Sequence, residues 1–206
     1  MPQETEPAAP TVTQERGRIS VRALLLLGVV ALVLYGVDQL AKFLVVTHLE
    51  HGQLVPVLGQ LLQLHYVTNS GAAFSLASGF TWILSIVAVG VVVFIAWYAR
   101  RIRSLGWAVV FGLVIGGATG NLTDRLFREP GFGTGRVVDF LQIIGFPAIF
   151  NIADAGIVAA MALFLILSLR GIGLDGSKAV FVRTKRSAED HDVVPEAKPA
   201  KPAPKA

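Results

Sequence analysis

The chain has 206 residues, 53% of them hydrophobic and only 16% charged, with a mean hydropathy of +0.63. Soluble domains carry about 25% charged residues, so the deficit argues against a disordered protein or a nucleic-acid-binding domain and for a chain that places most of its surface in lipid. Cys is absent, which excludes a disulfide scaffold, a thiolate metal site, a Cys nucleophile and lipid modification of this chain on Cys; the net charge of +4 matters less than where the charges fall.

Residues 1–19 are polar and rich in Pro, Thr and Glu, and read as a disordered N-terminal extension. Residues 20–172 read as a four-helix membrane domain, because four stretches approach the roughly 20 apolar residues that a span needs. The first covers about 23–46, with Asp38 and Lys42 near its far end. No A-x-A cleavage site follows it, so it reads as a retained span rather than a signal peptide. The connection from His48 to Phe74 contains QLVPVLGQLLQLHYVTN, rich in β-formers with turn signals at Pro56 and Gly59, and predicts one or two short strands on the membrane surface. The second span covers about 76–98 and the third about 104–123. Gly112, Gly116, Gly117 and Gly120 offer the third span a small face for close helix packing. The connection from Arg125 to Pro147 is glycine-rich, and VVDFLQII within it predicts a short strand or an interfacial segment. The fourth span covers about 149–169, with Asp154 near its start. Residues 173–206 form a basic tail ending in EAKPAKPAPKA, a composition that cannot bury a core. The fold class is an all-α integral membrane protein with four transmembrane helices and a small β-like segment between the first two.

Orientation follows from the basic residues in the short flanks. Arg16, Arg18 and Arg22 precede the first span, and Arg100, Arg101 and Arg103 separate the second from the third. Arg170, Lys178, Arg183, Lys185 and Arg186 follow the fourth. Four spans put all three clusters on one side, which makes both termini cytoplasmic. The second outer connection breaks the rule with Arg125, Arg128 and Arg136, and basic residues kept on the wrong side point to a task.

Between Ala23 and Leu169 the only acids are Asp38, Glu50, Asp124, Glu129, Asp139 and Asp154. An ionisable group in a span costs about 2.5–3.5 kcal/mol on insertion scales and is a functional-site hypothesis by default. Asp154 lies one turn into a span, and Asp139 sits in the apolar context VVDFL. The topology assigns both to the outer end of the bundle. Their fifteen-residue separation brings them together only if the segment with Gly145 and Pro147 folds back. Two carboxylates held close share a proton, so one can act as base on water while the other protonates a carbonyl oxygen. The bland alternative has Asp139 capping a helix and Asp154 paired with an Arg.

Asn69, Asn121 and Asn151 stand beside these groups. Asn121 with Asp124, and Asn151 with Asp154, are spaced to share a helix face; the alternative for such amides is helix–helix glue. Asp38 and Lys42 have the i,i+4 order of a structural ion pair. Arg125 offers a site for a phosphate or a carbonyl, or simply snorkels to the interface. His48, His51, His65 and His191 form no H-E-x-x-H, so a zinc protease is unsupported, and Ser70 with His65 is thin ground for a serine protease. A proton-coupled transporter using Asp38, Asp154 and Lys42 as relay groups is the rival from another class, and a structural subunit binding partner helices is a third reading.

The segments NSGAAFS (Asn69–Ser75), GNLTDR (Gly120–Arg125), VVDF (Val137–Phe140) and FNIADA (Phe150–Ala155) resemble, in order and spacing, the motif set of bacterial lipoprotein signal peptidase, signal peptidase II. DQLAK (Asp38–Lys42) is similar to the same family, and the resemblance covers about residues 22–170. It implies a four-helix membrane aspartic protease with no cofactor and no metal. The implied substrates are prolipoproteins in the membrane lipid, cleaved just before a diacylglyceryl-modified Cys, and the implied inhibitors are globomycin-type cyclic peptides. It assigns the catalytic dyad to Asp139 and Asp154, substrate-binding or supporting positions to Asn69, Asn121, Asp124, Arg125 and Asn151, and a supporting position to Asp38 and Lys42. The β-like segment at 52–69 becomes an extracytoplasmic cradle. Ala155 stands where the family often has Ser, and Thr123 where an aliphatic residue is usual.

Overall fold

The computed structural model describes residues 19–71 and 81–178. The expected N-terminal extension, residues 72–80 with the start of the second span and the end of the NSGAAFS motif, and the tail from 179 onward lie outside the described residues.

Helix α1 (Val21–His48) starts where the Ser20 hydroxyl accepts the Ala23 N–H at 3.3 Å, which satisfies one of the unpaired first-turn donors. The strands β1 (Leu54–Leu58) and β2 (Leu62–Asn69) follow, and then α2 (Thr81–Tyr98) ends in a short 3-10 turn, Ala99–Arg101. Helix α3 (Leu105–Phe127), strands β3 (Val137–Ile143) and β4 (Ile149–Phe150), and α4 (Ile152–Leu169) complete the order. All four helices are long and apolar enough to cross a membrane. Large apolar side chains such as Leu32, Phe94, Leu165 and Leu169 project outward, as expected where the solvent is lipid rather than water.

Helix α3 is the centre of the bundle, packing on α1, α4 and α2. Its glycines make this possible. A Cβ on Gly112 would meet the Leu27 carbonyl at 2.8 Å, and one on Gly116 would meet the Ala31 carbonyl at 2.7 Å, so both allow the backbones of α1 and α3 to approach. Gly117 serves α4 in the same way, lying against the Ala153 carbonyl.

The four strands form one antiparallel sheet in the order β1-β2-β3-β4 at one end of the bundle. The sequence placed a β-like segment in the first connection and a short strand or interfacial segment at VVDFLQII in the second, without joining them. One sheet draws two strands from each connection, because VVDFLQI pairs with β2 in a register that sets Val67 opposite Asp139 and Thr68 opposite Val138. Two further differences bear on the site. Helix α3 continues beyond residue 123 through Asp124 and Arg125 to Phe127, since Asp124 and Arg128 are four apart and their ion pair secures the last turn. Helix α4 begins at Ile152, and Ile149 and Phe150 belong to β4.

The interior of the opposite end of the bundle is apolar. Ala23, Leu27, Ala99, Ile102, Trp107 and Leu167 belong to one buried cluster there. Residues 171–178 fold back over it: the Leu174 carbonyl accepts the N–H groups of Arg103 and Ser104 at 2.9 and 3.0 Å, and the Trp107 indole N–H donates to the Ile172 carbonyl at 2.8 Å.

Candidate active site

The sheet end gathers almost every buried polar group among the described residues. Asp38, Lys42, Asp124, Asp139 and Asn151 are all at most 2% exposed. Five separate elements deliver the site residues: α1, β2, α3, β3 and the start of α4.

Asp139 comes from β3. Its Oδ2 accepts from the Asn69 amide at 2.9 Å, and its Oδ1 accepts from the Asn151 amide at 2.7 Å. Asp154 comes from the first turn of α4, where Asn151 is the N-cap. The Asn151 side chain accepts the Asp154 N–H at 3.0 Å, and the Asp154 carboxylate accepts the Asn151 N–H at 3.2 Å. This is a reciprocal capping box, which fixes the carboxylate at the helix entrance. The other Asp154 oxygen accepts from the Asn121 amide of α3 at 2.8 Å. Asn151 also donates to the Asn121 oxygen at 3.1 Å, so the amides link the two carboxyl groups into one network. The two carboxylates line a common cavity of about 630 Å³, with Asn69 at its polar end and Ile149, Phe150, Val158 and Ala162 along its apolar wall. The β3–β4 hairpin is the fold-back that the sequence required to bring residues 139 and 154 together.

Burial raises the Asp139 pKa to about 6, since it penalises the charged form; the Asn69 amide opposes the shift and the nearby Asp154 charge adds to it. Neither member of the bland alternative survives. Asp139 is a strand residue and caps no helix, and Asp154 pairs with amides rather than with an Arg.

Behind the pair lies an ion cluster. Lys42 reaches Asp38 at 2.8 Å, Asp124 at 2.9 Å and the Asn121 oxygen at 3.0 Å. Asp38 accepts the Ala153 N–H of α4 at 2.9 Å, so α1 holds the start of α4 directly. A Cβ on Gly120 would sit 2.6 Å from Asp38 Oδ2, which leaves glycine as the residue that fits there. Asp124 accepts the Val138 N–H at 3.2 Å and so fixes the residue before Asp139, while its other oxygen takes Arg128 Nε at 2.6 Å. Asp38, Lys42 and Asp124 therefore support the carboxylate pair without a hydrogen bond to it.

Arg125 lies in the last turn of α3, against Gly71, where an added Cβ would come within 3.1 and 3.2 Å of its guanidinium nitrogens. Gly71 also has a φ of +80°, which favours glycine. Arg125 Nη1 is the one buried side-chain nitrogen or oxygen among the described residues with no hydrogen-bond partner. Asp139, Asp124 and Asp154 are the carboxylates that act on its charge.

Other candidates lie apart from this chemistry. His65 pairs with Gln142 at 2.9 Å, and Ser70 uses its carbonyl to accept the Thr81 hydroxyl, so no serine–histidine pair forms. No group of His, Asp and Glu with metal-binding geometry occurs among the described residues. The Thr123 hydroxyl returns to the Thr119 carbonyl at 2.8 Å, and Ala155 lines the cavity wall. Sequence reasoning missed the supporting roles of Arg128 and Gln39. Arg128 was legible as the i,i+4 partner of Asp124 once the helix is extended. Gln39, which donates to the Gly120 carbonyl at 3.0 Å, carried no signal.

Fold and site together define a small polytopic membrane protein with a hydrogen-bonded carboxylate pair at the sheet-covered end of its helices. The family model described as Signal peptidase (SPase) II matches residues 30–170. The lipoprotein signal peptidase of Leifsonia xyli subsp. xyli is 64% identical over 163 residues, covering 79% of this chain and 76% of that protein. That of Rhodococcus jostii is 44% identical over 177 residues, covering 86% of this chain and 85% of its own. A bacterial membrane enzyme solved by the in meso method at 2.3 Å is similar with a TM-score of 0.63 and 26% identity, covering 79% of this chain and 98% of that one. The chain belongs to the signal peptidase II family, and it is a multi-pass membrane protein.

Proposed function

We propose that this chain is an aspartic endopeptidase that removes signal peptides from prolipoproteins by cleaving before the diacylglyceryl-modified Cys, with Asp139 and Asp154 as the catalytic dyad. The carrying observation is the pair itself: two carboxyl groups from β3 and α4 lining one cavity, with all four oxygens hydrogen-bonded to Asn side chains or backbone.

Asp139 carries the shared proton, in keeping with its raised pKa, and Asp154 is the base. Asp154 takes a proton from water, and the water oxygen bonds to the scissile carbonyl carbon. Asp139 gives its proton to the carbonyl oxygen. The gem-diol intermediate then collapses: one hydroxyl proton returns to Asp139 as the carbonyl re-forms, the C–N bond breaks, and the proton held by Asp154 passes to the leaving amine. Arg125 Nη1, buried and unpartnered, is placed to donate to a substrate carbonyl. The apolar wall of the cavity, from Phe150 of β4 to Val158 and Ala162 of α4, accepts the acyl chains or the signal helix. The same cavity takes globomycin-type cyclic peptides.

In this reading residues 20–172 are the peptidase domain and both termini are cytoplasmic, as the basic clusters at 16–22, 100–103 and 170–186 support. The sheet then lies on the extracytoplasmic face. Its exposed apolar tips, Val57, Leu58 and Leu61 of one hairpin and Ile144 and Phe146 of the other, suit the lipid interface. The site meets its substrate where acyl chains anchor the Cys in the outer leaflet.

The test is cleavage by the purified chain of a diacylglyceryl-modified precursor against its unmodified form. Cleavage of the lipidated precursor alone is expected, and Asp139→Asn and Asp154→Asn should each abolish it while the protein remains membrane-inserted. Normal processing by either variant would sink the dyad assignment, and equal cleavage of both precursors would sink the substrate class.

A further inference from the structure

The three asparagines around the dyad share a feature that sequence does not show. A side-chain amide can present either its oxygen or its NH₂ to a neighbour, and only the partners decide. At each of the three, an obligate donor fixes the oxygen end. The Gly71 N–H donates to Asn69 Oδ1 at 2.7 Å, and the Asp154 N–H donates to Asn151 Oδ1 at 3.0 Å. For Asn121 the donor is the Lys42 ammonium, at 3.0 Å from Oδ1. Each amide is thereby forced to turn its NH₂ to a dyad carboxylate.

Lys42 is the unusual one of the three anchors. It is a charged side chain, fully buried, from a helix that contributes nothing else that touches an amide of the dyad. An ammonium has three N–H donors and no acceptor, and here it meets three acceptors: Asp38 Oδ2, Asp124 Oδ2 and Asn121 Oδ1. Two carboxylates already neutralise it, so the contact to Asn121 is not needed for charge balance. Its consequence falls one bond further on. With Oδ1 held, Asn121 Nδ2 lies 2.8 Å from Asp154 Oδ1. Without the ammonium, Asn121 Oδ1 keeps only the 3.1 Å bond from the Asn151 NH₂, a neutral donor shared with Asp139, and the amide can rotate its oxygen toward the Asp154 carboxylate, which places two acceptors face to face.

We propose that Lys42 is a positioning residue of the proteolytic reaction, acting through Asn121 to hold an NH₂ donor against Asp154. The proposal rests on the dyad reading above and assigns Lys42 a role distinct from its ion pairs. Misplacement of a reacting group by about 1 Å costs on the order of 10²-fold in rate, and this sets the expected scale.

A double-mutant cycle on purified enzyme and lipidated precursor tests it. Removing Lys42 alone strands Asp38, so the cycle is run in an Asp38→Asn background, where Asp124 keeps Arg128 and the Val138 N–H. Adding Lys42→Met should lower kcat on the order of 10²-fold with KM within about twofold, as expected for a contact that matters in the transition state. Asn121→Ala in the same background should lower kcat by a similar factor, and the two together should lose little more than either alone. Multiplied losses, or an unchanged kcat with Lys42→Met, overturn the proposal. If the Lys42→Met variant does not fold, Asn121→Asp decides: it keeps an acceptor for Lys42 but puts an oxygen against Asp154, so it should fold and lose kcat by the same factor. Wild-type kcat in Asn121→Asp overturns the proposal equally. Asp154→Asn runs alongside as the control: if it is active, the dyad reading has failed, and if it is inactive while the losses multiply, only the role of Lys42 has.

Discussion

The two ends of this bundle are built from the same four helices and solve opposite problems. At the sheet end, charged and amide side chains are buried and joined by short hydrogen bonds. At the other end, Trp107, Ile102, Leu27 and Leu167 pack without charge under the 171–178 clasp. A buried ion cluster contributes little net stability, because desolvation offsets its attraction, yet breaking it is costly. Such a cluster is better explained by what it positions than by what it stabilises. The apolar end carries no such cost and tolerates change as a packed core does.

Matched glycine substitutions on α3 make the sharpest break between the ends. Gly120→Ala drives a Cβ to 2.6 Å from Asp38 Oδ2, with Ala153 Cβ at 3.3 Å behind it. The carboxylate must leave Lys42 or the Ala153 N–H, and the start of α4, with Asp154, shifts with it. Activity should fall on the order of 10²-fold, with stability lower by about 3–5 kcal/mol where the buried ion pair is broken. Gly106→Ala places its Cβ 3.1 Å from the Leu167 side-chain tip, which can rotate away. There the gain in helix propensity of roughly 1 kcal/mol offsets the crowding, and activity should be unchanged. Assays of both variants in detergent check the contrast, and equal losses at the two positions would erase the distinction between the ends.

A smaller effect sharpens the chemistry of the sheet end. Asn69 donates to Asp139 and so favours its ionised form, opposing the burial that raises the pKa to about 6. Removing the amide, as in Asn69→Ala, must raise the Asp139 pKa further. Asp139 is the proton donor in the proposed mechanism, so activity is lost as pH rises through its pKa. The alkaline limb of kcat/KM, which reports groups in the free enzyme, should therefore move up by about one pH unit, the equivalent of a charge-assisted hydrogen bond of about 1.5 kcal/mol. A pH–rate profile of the variant checks both sign and size. An acid limb that moves up while the alkaline limb stays would make Asp139 the base and exchange the roles of the two carboxyl groups.

How much of this was legible in the sequence differs between local and long-range features. The helices were readable because hydropathy over about twenty residues is a local signal, and the β-forming run before Asn69 was readable for the same reason. The carboxylates stood out because an acid in apolar context is costly and rare. The end of α3 was misplaced because the first charge was taken as the end of the span, although Asp124 and Arg128 bond each other within the helix. The joining of VVDFLQI to β2 was invisible, since pairing between strands as far apart in the chain as Leu62–Asn69 and Val137–Ile143 leaves no local trace. The orientation of the amides was also beyond reach. It depends on Gly71, Lys42 and the Asp154 backbone meeting three side chains from elsewhere in the chain.

The smallest expected effect lies at the apolar end and is the most direct check that this end serves stability alone. Trp107→Phe keeps a ring against Phe164, whose centroid lies 5.4 Å away edge-on, but removes the indole N–H that donates to the Ile172 carbonyl at 2.8 Å. The carbonyl is left without that donor, and the loss should be about 1 kcal/mol, the net value of one such bond. Among the described residues no side-chain hydrogen bonds link Trp107 to Asp139 or Asp154; between them lie the apolar turns of α3 from Ala108 to Ile115. The variant should therefore denature slightly earlier in a thermal melt while cleaving lipidated precursor at the wild-type rate below its transition. A fall in kcat at that temperature would mean that the clasp reaches the dyad through α3, and the two ends would have to be treated as one coupled unit.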